Sequence, residues 1–245
     1  MFGNSPEVVT NQDGPHPNLA EVVSRHLATQ WQAPVATHTQ QAFQQAARWR
    51  AEQGSARPLI LDSGCGTGRS STWLAGQHPD ALVIGLDQSA DRLRRGSARF
   101  APLPPNLLLL RAEAAGFWRL MAAAGWRLQA HWLCYPNPWP KSAHLRRRWH
   151  GHPAFPVLLS LGGELRLRSN WALYLQEMHQ ALAIAGVQSV IRPLPGNIEP
   201  ITDFEQKYLA SGHRLVELVA VTTSAIFIDG ADATAAQADP APSAR

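Results

Sequence analysis

The chain has 245 residues, of which 45% are hydrophobic and 16% are charged, and its formal net charge is +4. This length allows one α/β domain with a substantial core, and the hydrophobic content excludes a chain that is disordered throughout. The two cysteines stand in no metal-ligand spacing, and no apolar run suits a membrane span or a signal peptide. We therefore expect a cytoplasmic protein with no membrane partner and no metal site.

The two ends of the chain differ in composition from its middle. Residues 1–17 are polar and contain prolines, and we expect them to form a flexible arm. Residues 229–245 are rich in Ala, Pro and Asp without periodicity, which predicts a disordered tail. Between them we expect one domain over residues 18–228. Its first elements are two helices, one capped by Asn18 and ending near Gln30, the other over Thr37–Gln53.

From residue 59 onward, short apolar runs alternate with helical patterns. The predicted strands are Leu59–Leu61, Ala81–Leu86, Asn106–Arg111, Leu128–Tyr135, Glu164–Arg168, Val187–Pro193 and Arg214–Val221. The predicted helices between them cover about 69–77, 89–99, 117–124, a stretch beginning near 153, 171–185 and 202–211. This alternation predicts a doubly wound, mostly parallel seven-stranded sheet of the α/β class. In such sheets ligands bind at the carboxyl ends of the strands.

A glycine-rich turn follows the first predicted strand. Asp62 ends the strand, and glycines then occupy every second position at Gly64, Gly66 and Gly68 before a Thr/Ser-rich helix start. Glycines are needed where a ligand approaches the backbone closely or where φ is positive. The acid argues against a phosphate at this point and favours a ligand that carries a cation or hydroxyls. A tight structural turn is the alternative interpretation.

Acids recur at the ends of the first three predicted strands, at Asp62, Asp87 and Glu113. An acid about 20 residues past a glycine turn, at the tip of the next strand, is placed to accept hydrogen bonds from ribose hydroxyls. A solvated loop acid would explain each one separately. Recurrence at three strand ends favours a shared ligand site.

A basic loop, Cys134–His150, follows the fourth predicted strand. Its prolines alternate with other residues at the start, and five cationic or titratable side chains then fall within eight positions, flanked by Trp139 and Trp149. Those five are Lys141, His144, Arg146, Arg147 and Arg148. Such a surface favours phosphate contact and base stacking, with a solvated face as the alternative. The arginines of the helix over 89–99 are interpreted as a solvated face.

Four motifs occur in one order with compatible spacing. They are P-N-P-W-P-K (Pro136–Lys141), G-G-E-L-R-L-R-S-N-W (Gly162–Trp171), T-D-F-E (Thr202–Glu205) and G-H-R-L-V-E-L (Gly212–Leu218). With the glycine turn, they resemble the bacterial tRNA (guanine-N7-)-methyltransferase family over roughly residues 57–221. The resemblance implies a Rossmann-like class I methyltransferase fold with N-terminal helices, S-adenosylmethionine as cofactor, and transfer of its methyl group to N7 of a guanine in tRNA.

The resemblance also implies site residues, carried over position by position. The implied cofactor contacts are Asp62, Gly64, Gly66, Asp87, Glu113 and Asn137. The implied substrate contacts are Lys141, Asn170, Thr202, Asp203, Phe204 and Glu205, to which the basic loop adds Arg146, Arg147 and Arg148. Asn137 and Glu205 are the implied catalytic residues.

The chain departs from the family at two asparagines, because the family has Asp at the positions of Asn137 and Asn170. Each exchange keeps the shape and an acceptor oxygen but removes a negative charge. Asp203 stands where the family usually has a basic or polar residue. Three interpretations follow: a tRNA guanine methyltransferase, a methyltransferase with another nucleic-acid target, and a tRNA-binding paralogue without turnover. Both a monomer and a homodimer fit the sequence.

Overall fold

The computed structural model describes residues 3–222, and the predicted tail over 229–245 lies outside the described residues. The strands are β1 (Leu59–Ser63), β2 (Leu82–Asp87), β3 (Leu107–Arg111), β4 (Ala130–Cys134), β5 (Gly163–Ser169), β6 (Ser189–Pro193) and β7 (Val216–Thr222). They form one sheet in the order β3-β2-β1-β4-β5-β7-β6. Neighbouring strands are parallel except that β7 runs antiparallel to both β5 and β6. The predicted doubly wound α/β sheet is confirmed.

Helices connect most of the strands, close to their predicted bounds. They are α1 (Leu19–Leu27), α2 (Thr37–Gln53), α3 (Arg69–Gln77), α4 (Ala90–Arg99), α5 (Ala114–Ala123), α6 (Phe155–Ser160), α7 (Ala172–Ile184) and α8 (Asp203–Ala210). The first helix is shorter than predicted, and the side chain of Asn18 makes no capping hydrogen bond to a described residue. In residues 3–222 no helix has the length and apolar character to cross a bilayer.

The core lies on both faces of the sheet, as the strand pattern requires. In β1, Leu59 and Leu61 pack into a cluster with α1, α2, α5 and α7, whereas Ile60 packs on the opposite face beside Leu74 of α3. Every residue of β1 and β2 is buried. This double burial explains why these strands read as continuous apolar runs.

The glycine turn is held by a close contact with α4. Gly64, Gly66 and Gly68 all have positive φ, between 62° and 83°. Behind the turn, a Cβ atom added to Gly96 would lie 1.6 Å from the carbonyl oxygen of Thr67. Helix α4 therefore approaches the turn to a distance that only glycine allows.

This contact predicts opposite effects for two Gly→Ala substitutions in helices. We expect Gly96→Ala to lower the free energy of unfolding by about 1–3 kcal/mol or more, because the new methyl group meets backbone that cannot move freely. Gly76→Ala in α3 is the control, since its Cβ would meet no described atom within 4 Å. We expect it to be neutral or to stabilise by up to about 1 kcal/mol. Urea unfolding measures both, and equal effects would contradict the contact.

Candidate active site

A cavity of about 530 Å³ lies at the carboxyl ends of β1, β2 and β4. Six of the residues singled out in the sequence line it, namely Gly64, Asp87, Asn137, Arg147, Asn170 and Phe204. Aromatic side chains form much of the remaining wall, namely Tyr135, Trp149, Tyr174 and Tyr208. The cavity therefore joins the glycine turn, the basic loop and the start of α8 in one place.

Asp87 joins the second strand tip to the glycine turn. Its Oδ2 accepts a hydrogen bond from the backbone N–H of Gly66 at 3.0 Å, and its Oδ1 accepts one from Ser89 N–H at 2.8 Å. The guanidinium of Arg92 lies 3.3 Å from Oδ2. The carboxylate is thus oriented at the cavity wall. Gly64, beside it, is open, because a Cβ there would meet no described atom within 4 Å.

Asp62 lies behind the turn and does not line the cavity. It is fully buried, and the hydroxyls of Ser70 and Ser71 donate to its Oδ2 at 2.6 and 2.7 Å. Its Oδ1 is buried without a hydrogen-bond partner among the described residues. Burial raises the pKa of Asp62 to about 6, against the lowering effect of the two serines. A cationic group near the turn would compensate this carboxylate.

The carboxylate of Glu113 forms hydrogen bonds with the helix that begins directly after it. Its two oxygens accept hydrogen bonds from the N–H groups of Ala115 and Gly116, which caps the start of α5. Its own N–H donates to the hydroxyl of Thr39. Glu113 does not line the cavity in the described part of the chain, although its neighbours Ala112 and Ala114 do, and its contact with the cofactor stays a prediction. Its carboxylate is occupied because an acid at this position satisfies the free N–H groups of a helix start.

The two asparagines both line the cavity, from different strand ends. Asn137 is exposed, and among the described residues its Oδ1 accepts one hydrogen bond, a long one of 3.4 Å from Trp139 N–H. The backbone on both sides of it is left-handed, with φ of 51° at Tyr135 and 46° at Trp139. Asn170 instead pairs through its Nδ2 with Nδ1 of His213 at 3.0 Å. Asn137 therefore has the freer amide group of the two.

Glu205 is buried away from the cavity, contrary to its predicted catalytic role. Its carboxylate accepts hydrogen bonds from the Tyr135 hydroxyl at 2.8 Å, from Arg168 at 3.1 Å and from Ile201 N–H at 2.6 Å. Its own N–H donates to the hydroxyl of Thr202, the N-cap of α8. The motif T-x-x-E is also the signature of a helix-capping box, and that is the signal in the sequence for this structural role.

Asp203 and Phe204 lie between Thr202 and Glu205 in the chain, and they make different contacts from those of Glu205. Asp203 accepts hydrogen bonds from the Thr67 hydroxyl at 2.8 Å and from Arg99 at 3.0 Å, and Arg69 lies 3.5 Å away. This acid ties the start of α8 to the glycine turn and to α4. Phe204 is 46% exposed and stacks on Tyr208, with ring centroids 6.1 Å apart.

The basic loop divides into an exposed part and a buried part, and it contains two short 3₁₀ helices, Ser142–Arg147 and Trp149–Gly151. Lys141, Arg146 and Arg147 are exposed, and the guanidinium of Arg147 lies 4.7 Å from the ring centroid of Trp139. Arg148 is fully buried. Its predicted contact with RNA is therefore wrong, because a guanidinium without exposed surface cannot reach a phosphate.

Arg148 belongs to a buried network around Glu177 of α7. It donates to Glu177 at 2.5 Å, to the carbonyl oxygens of Trp139 and Lys141 at 3.0 and 3.2 Å, and to the Gln12 side chain at 2.5 Å. Glu177 also bonds His150 at 2.8 Å and accepts from Gln12 Nε2 at 3.1 Å and from His16 N–H at 2.9 Å. Residues 3–17, predicted to be a flexible arm, form no helix or strand and run beside this network.

Sequence reasoning missed Glu177, although one signal was present. It is a lone acid in an otherwise apolar and neutral helix pattern, L-Y-L-Q-E-M-H-Q-A-L. Acids of this kind are almost never fully buried unless they are paired. The partner could not be chosen from the sequence, because four cationic residues of the basic loop compete for that role.

Comparisons with known proteins agree on one family. The family model described as "Putative methyltransferase" matches residues 56–218. A tRNA (guanine-N(7)-)-methyltransferase of Nocardioides sp. is 30% identical over 175 residues, which is 66% of this chain and 66% of that protein. The enzyme of the same name from Halorhodospira halophila is 30% identical and covers 68% of this chain and 75% of its own length. The enzyme of the same name from Geobacillus thermodenitrificans is 26% identical, and the match covers 69% of this chain and 81% of that protein.

Solved structures support the fold. A mutant 16S rRNA (adenine(1408)-N(1))-methyltransferase from Catenulisporales acidiphilia, crystallised with its cosubstrate SAM, matches with a TM-score of 0.53 at 21% identity. The match covers 72% of this chain and 91% of the chain in that crystal structure. The 16S rRNA methyltransferase KamB matches with a TM-score of 0.55 at 18% identity, and the match covers 78% of this chain and 95% of KamB. At these identities the likeness extends to the fold alone.

The buried network predicts a pH-dependent contribution to stability. Burial by itself would raise the pKa of Glu177, but the hydrogen bonds and charges of His150 and Arg148 lower it to about 2, from 4.5. Because the folded-state pKa is the lower one, the carboxylate stabilises the fold above about pH 4.5. That contribution is lost as the pH falls from 4.5 toward 2.

We expect Glu177→Gln to lower the free energy of unfolding at pH 7 by about 3–5 kcal/mol, because Arg148 then stays buried without a counter-charge. Thermal unfolding should show the melting temperatures of wild type and variant converging below pH 4.5. Glu52→Gln, at an exposed position of α2, is the control and should change little. A wild-type advantage that stays constant down to pH 3 would show that the fold does not lower the pKa of Glu177.

Proposed function

The chain belongs to the methyltransferase family whose model matches residues 56–218, and on this premise we propose that it transfers the methyl group of S-adenosylmethionine to N7 of a guanine in tRNA. The observation that carries the proposal is the cavity in which the open glycine turn and Asp87 face Asn137, Asn170 and Phe204. The relatives named above carry this activity in their names. We place the activity in the cytoplasm, with tRNA as partner and the protein acting as a monomer or a homodimer.

The residues around the glycine turn fit S-adenosylmethionine. Gly64 leaves space for close approach to the backbone, and the Asp87 carboxylate at the cavity wall can accept hydrogen bonds from ribose hydroxyls. Asp62 Oδ1, which has no hydrogen-bond partner among the described residues, places negative charge behind the turn, where a cationic amino group would be favoured. When bound, the sulfonium of this cofactor supplies an activated methyl group.

The chain's residues contribute mainly by positioning. Guanine N7 carries an in-plane lone pair as an acceptor, so it needs no general base before it attacks. The protein must hold the purine in line with the methyl group, and this alignment accounts for much of the rate enhancement. The aromatic side chains of Phe204 and Tyr208 offer a face for the purine at the cavity wall. The exposed cations of the basic loop bind the tRNA phosphates.

Asn137 and Asn170 set the electrostatics of this step. Positive charge develops on the purine as the methyl group is transferred, and a carboxylate beside it would stabilise that charge. The two amides supply acceptor oxygens without the charge. Because Glu205 is buried and already bonded, it does not replace them. The site is therefore a weakly charged version of the arrangement that the family resemblance implies.

The direct experiment incubates unmodified tRNA with the protein and isotope-labelled S-adenosylmethionine, followed by mass spectrometry of the nucleosides. We expect labelled 7-methylguanosine. Asp87→Ala should reduce S-adenosylmethionine affinity in calorimetry by at least about tenfold, because charge-assisted hydrogen bonds of this kind are worth about 1.5–3 kcal/mol. If a different nucleoside carries the label, the enzyme methylates another target. If no nucleoside is labelled although the protein binds tRNA, the protein is a tRNA-binding paralogue without turnover.

Restoring a carboxylate at the cavity should raise the rate. We expect Asn137→Asp to increase single-turnover methylation of tRNA guanine by about tenfold, equivalent to about 1.4 kcal/mol of transition-state stabilisation. Asn170→Asp should gain less because His213 partners that position, and the double variant should gain most. Asn197→Asp, on an exposed loop outside the cavity, is the charge-matched control. Lower guanine methylation in Asn137→Asp than in wild type would refute this interpretation of the asparagines.

A further inference from the structure

A second pocket, of about 220 Å³, lies beside the cavity on the other side of Phe204. The glycine turn, α3, α4 and the start of α8 surround it, and three arginines line it: Arg69, Arg92 and Arg95. We name this the arginine pocket. Its volume is well above the roughly 10–15 Å³ that a cavity needs to hold one water molecule, so it can hold a small polar group. The family resemblance assigns none of these arginines.

The arginine pocket has an excess of positive charge. Asp203 is the acid that lines it in the described residues, against three guanidinium groups. Arg95 is 60% exposed, and its partner Asp91 is shared with Arg94. Arg92 is 45% exposed and lies 3.3 Å from the carboxylate of Asp87 outside the arginine pocket, and Arg69 donates to Gln206 and Asp203. The planar guanidinium fork suits the oxygens of a phosphate, so the chemistry of this pocket favours a phosphate anion.

Helix α4 presents its arginines unequally, although the sequence alone suggested a uniform solvated face. Arg92, Arg95 and Arg99 recur at helical spacing on one side of α4, and the first two line the pocket while Arg99 pairs with Asp203. Arg94 is 76% exposed and lines neither the cavity nor the arginine pocket as described. The helix therefore directs part of its charge toward the cavity and part of it to solvent.

The arginine pocket and the cavity share a wall. Phe204, Arg92, Gly64 and Cys134 line both. A nucleoside in the cavity would therefore have its sugar–phosphate backbone within reach of the arginine pocket. We propose, on the basis of the proposed function, that the arginine pocket binds a backbone phosphate of the tRNA next to the target guanosine, with Arg95 and Arg92 as its ligands.

Two neighbouring arginines provide a matched test. Arg95→Gln and Arg94→Gln remove the same charge from the same helix, and each leaves Asp91 with one arginine partner. We expect Arg95→Gln to weaken binding of unmodified tRNA by about threefold to tenfold and to reduce the log–log salt slope by about 0.7–0.9. Arg94→Gln should lose less than twofold. S-adenosylmethionine affinity in calorimetry should stay unchanged in both.

Ethylation of single tRNA phosphates locates the contact. Ethylation next to the target guanosine should weaken binding to the wild type and to Arg94→Gln, and it should have a smaller effect on Arg95→Gln, in which Arg92 alone remains to contact that phosphate. Equal tRNA affinities for the two variants, with methylation retained, would overturn the arginine pocket and leave the proposed function intact. Absence of S-adenosylmethionine binding and methylation in the wild type would overturn the proposed function itself.

Discussion

The buried carboxylate of Glu177 is the interaction around which the region beside the cavity is arranged. A fully buried charge is tolerated only when opposite charge and hydrogen bonds surround it. Here Arg148, His150, Gln12 and the N–H of His16 meet that demand from two distant segments of the chain. The basic loop, together with Gln12 and His16 of residues 3–17, is fixed against α7 by these contacts. The cavity wall that the loop supplies depends on the same contacts.

Position in the fold, more than residue type, separates the roles of the charged groups near the cavity. Asp62 and Asp87 lie at the ends of adjacent strands and are both buried acids, yet of the two it is Asp87 that lines the cavity. Arg147 and Arg148 are neighbours in the chain, but one is exposed and the other has no exposed surface. In each pair one side chain stabilises the fold through buried hydrogen bonds, and the other lies at the cavity where a ligand can contact it. The same short motifs therefore supply both the stabilising contacts and the ligand-facing surface.

Most of the fold could be predicted from the sequence, because apolar runs such as Leu59–Leu61 and the helix over Thr37–Gln53 are local signals. Part of the site followed too, since the carboxyl ends of parallel strands bring Asp87 and Asn137 to one edge of the sheet. The assignments of Glu205 and Arg148 differ from the structure because each side chain is fully buried with partners in the fold. Which partner a charged side chain takes depends on its neighbours in the folded structure, and a sequence motif does not specify those neighbours.

The left-handed backbone at Tyr135 and Trp139 bears on how this site can diverge. Non-glycine residues in that region cost of order 1–3 kcal/mol each, so the surrounding contacts must hold the loop in shape. Around Trp139, Arg148 does so through the carbonyl oxygens of Trp139 and Lys141, which any residue at those positions would provide. Loop shape is therefore largely uncoupled from the side chain at position 137. Selection can exchange an aspartate for an asparagine there, and so retune the chemistry, while the architecture is inherited unchanged.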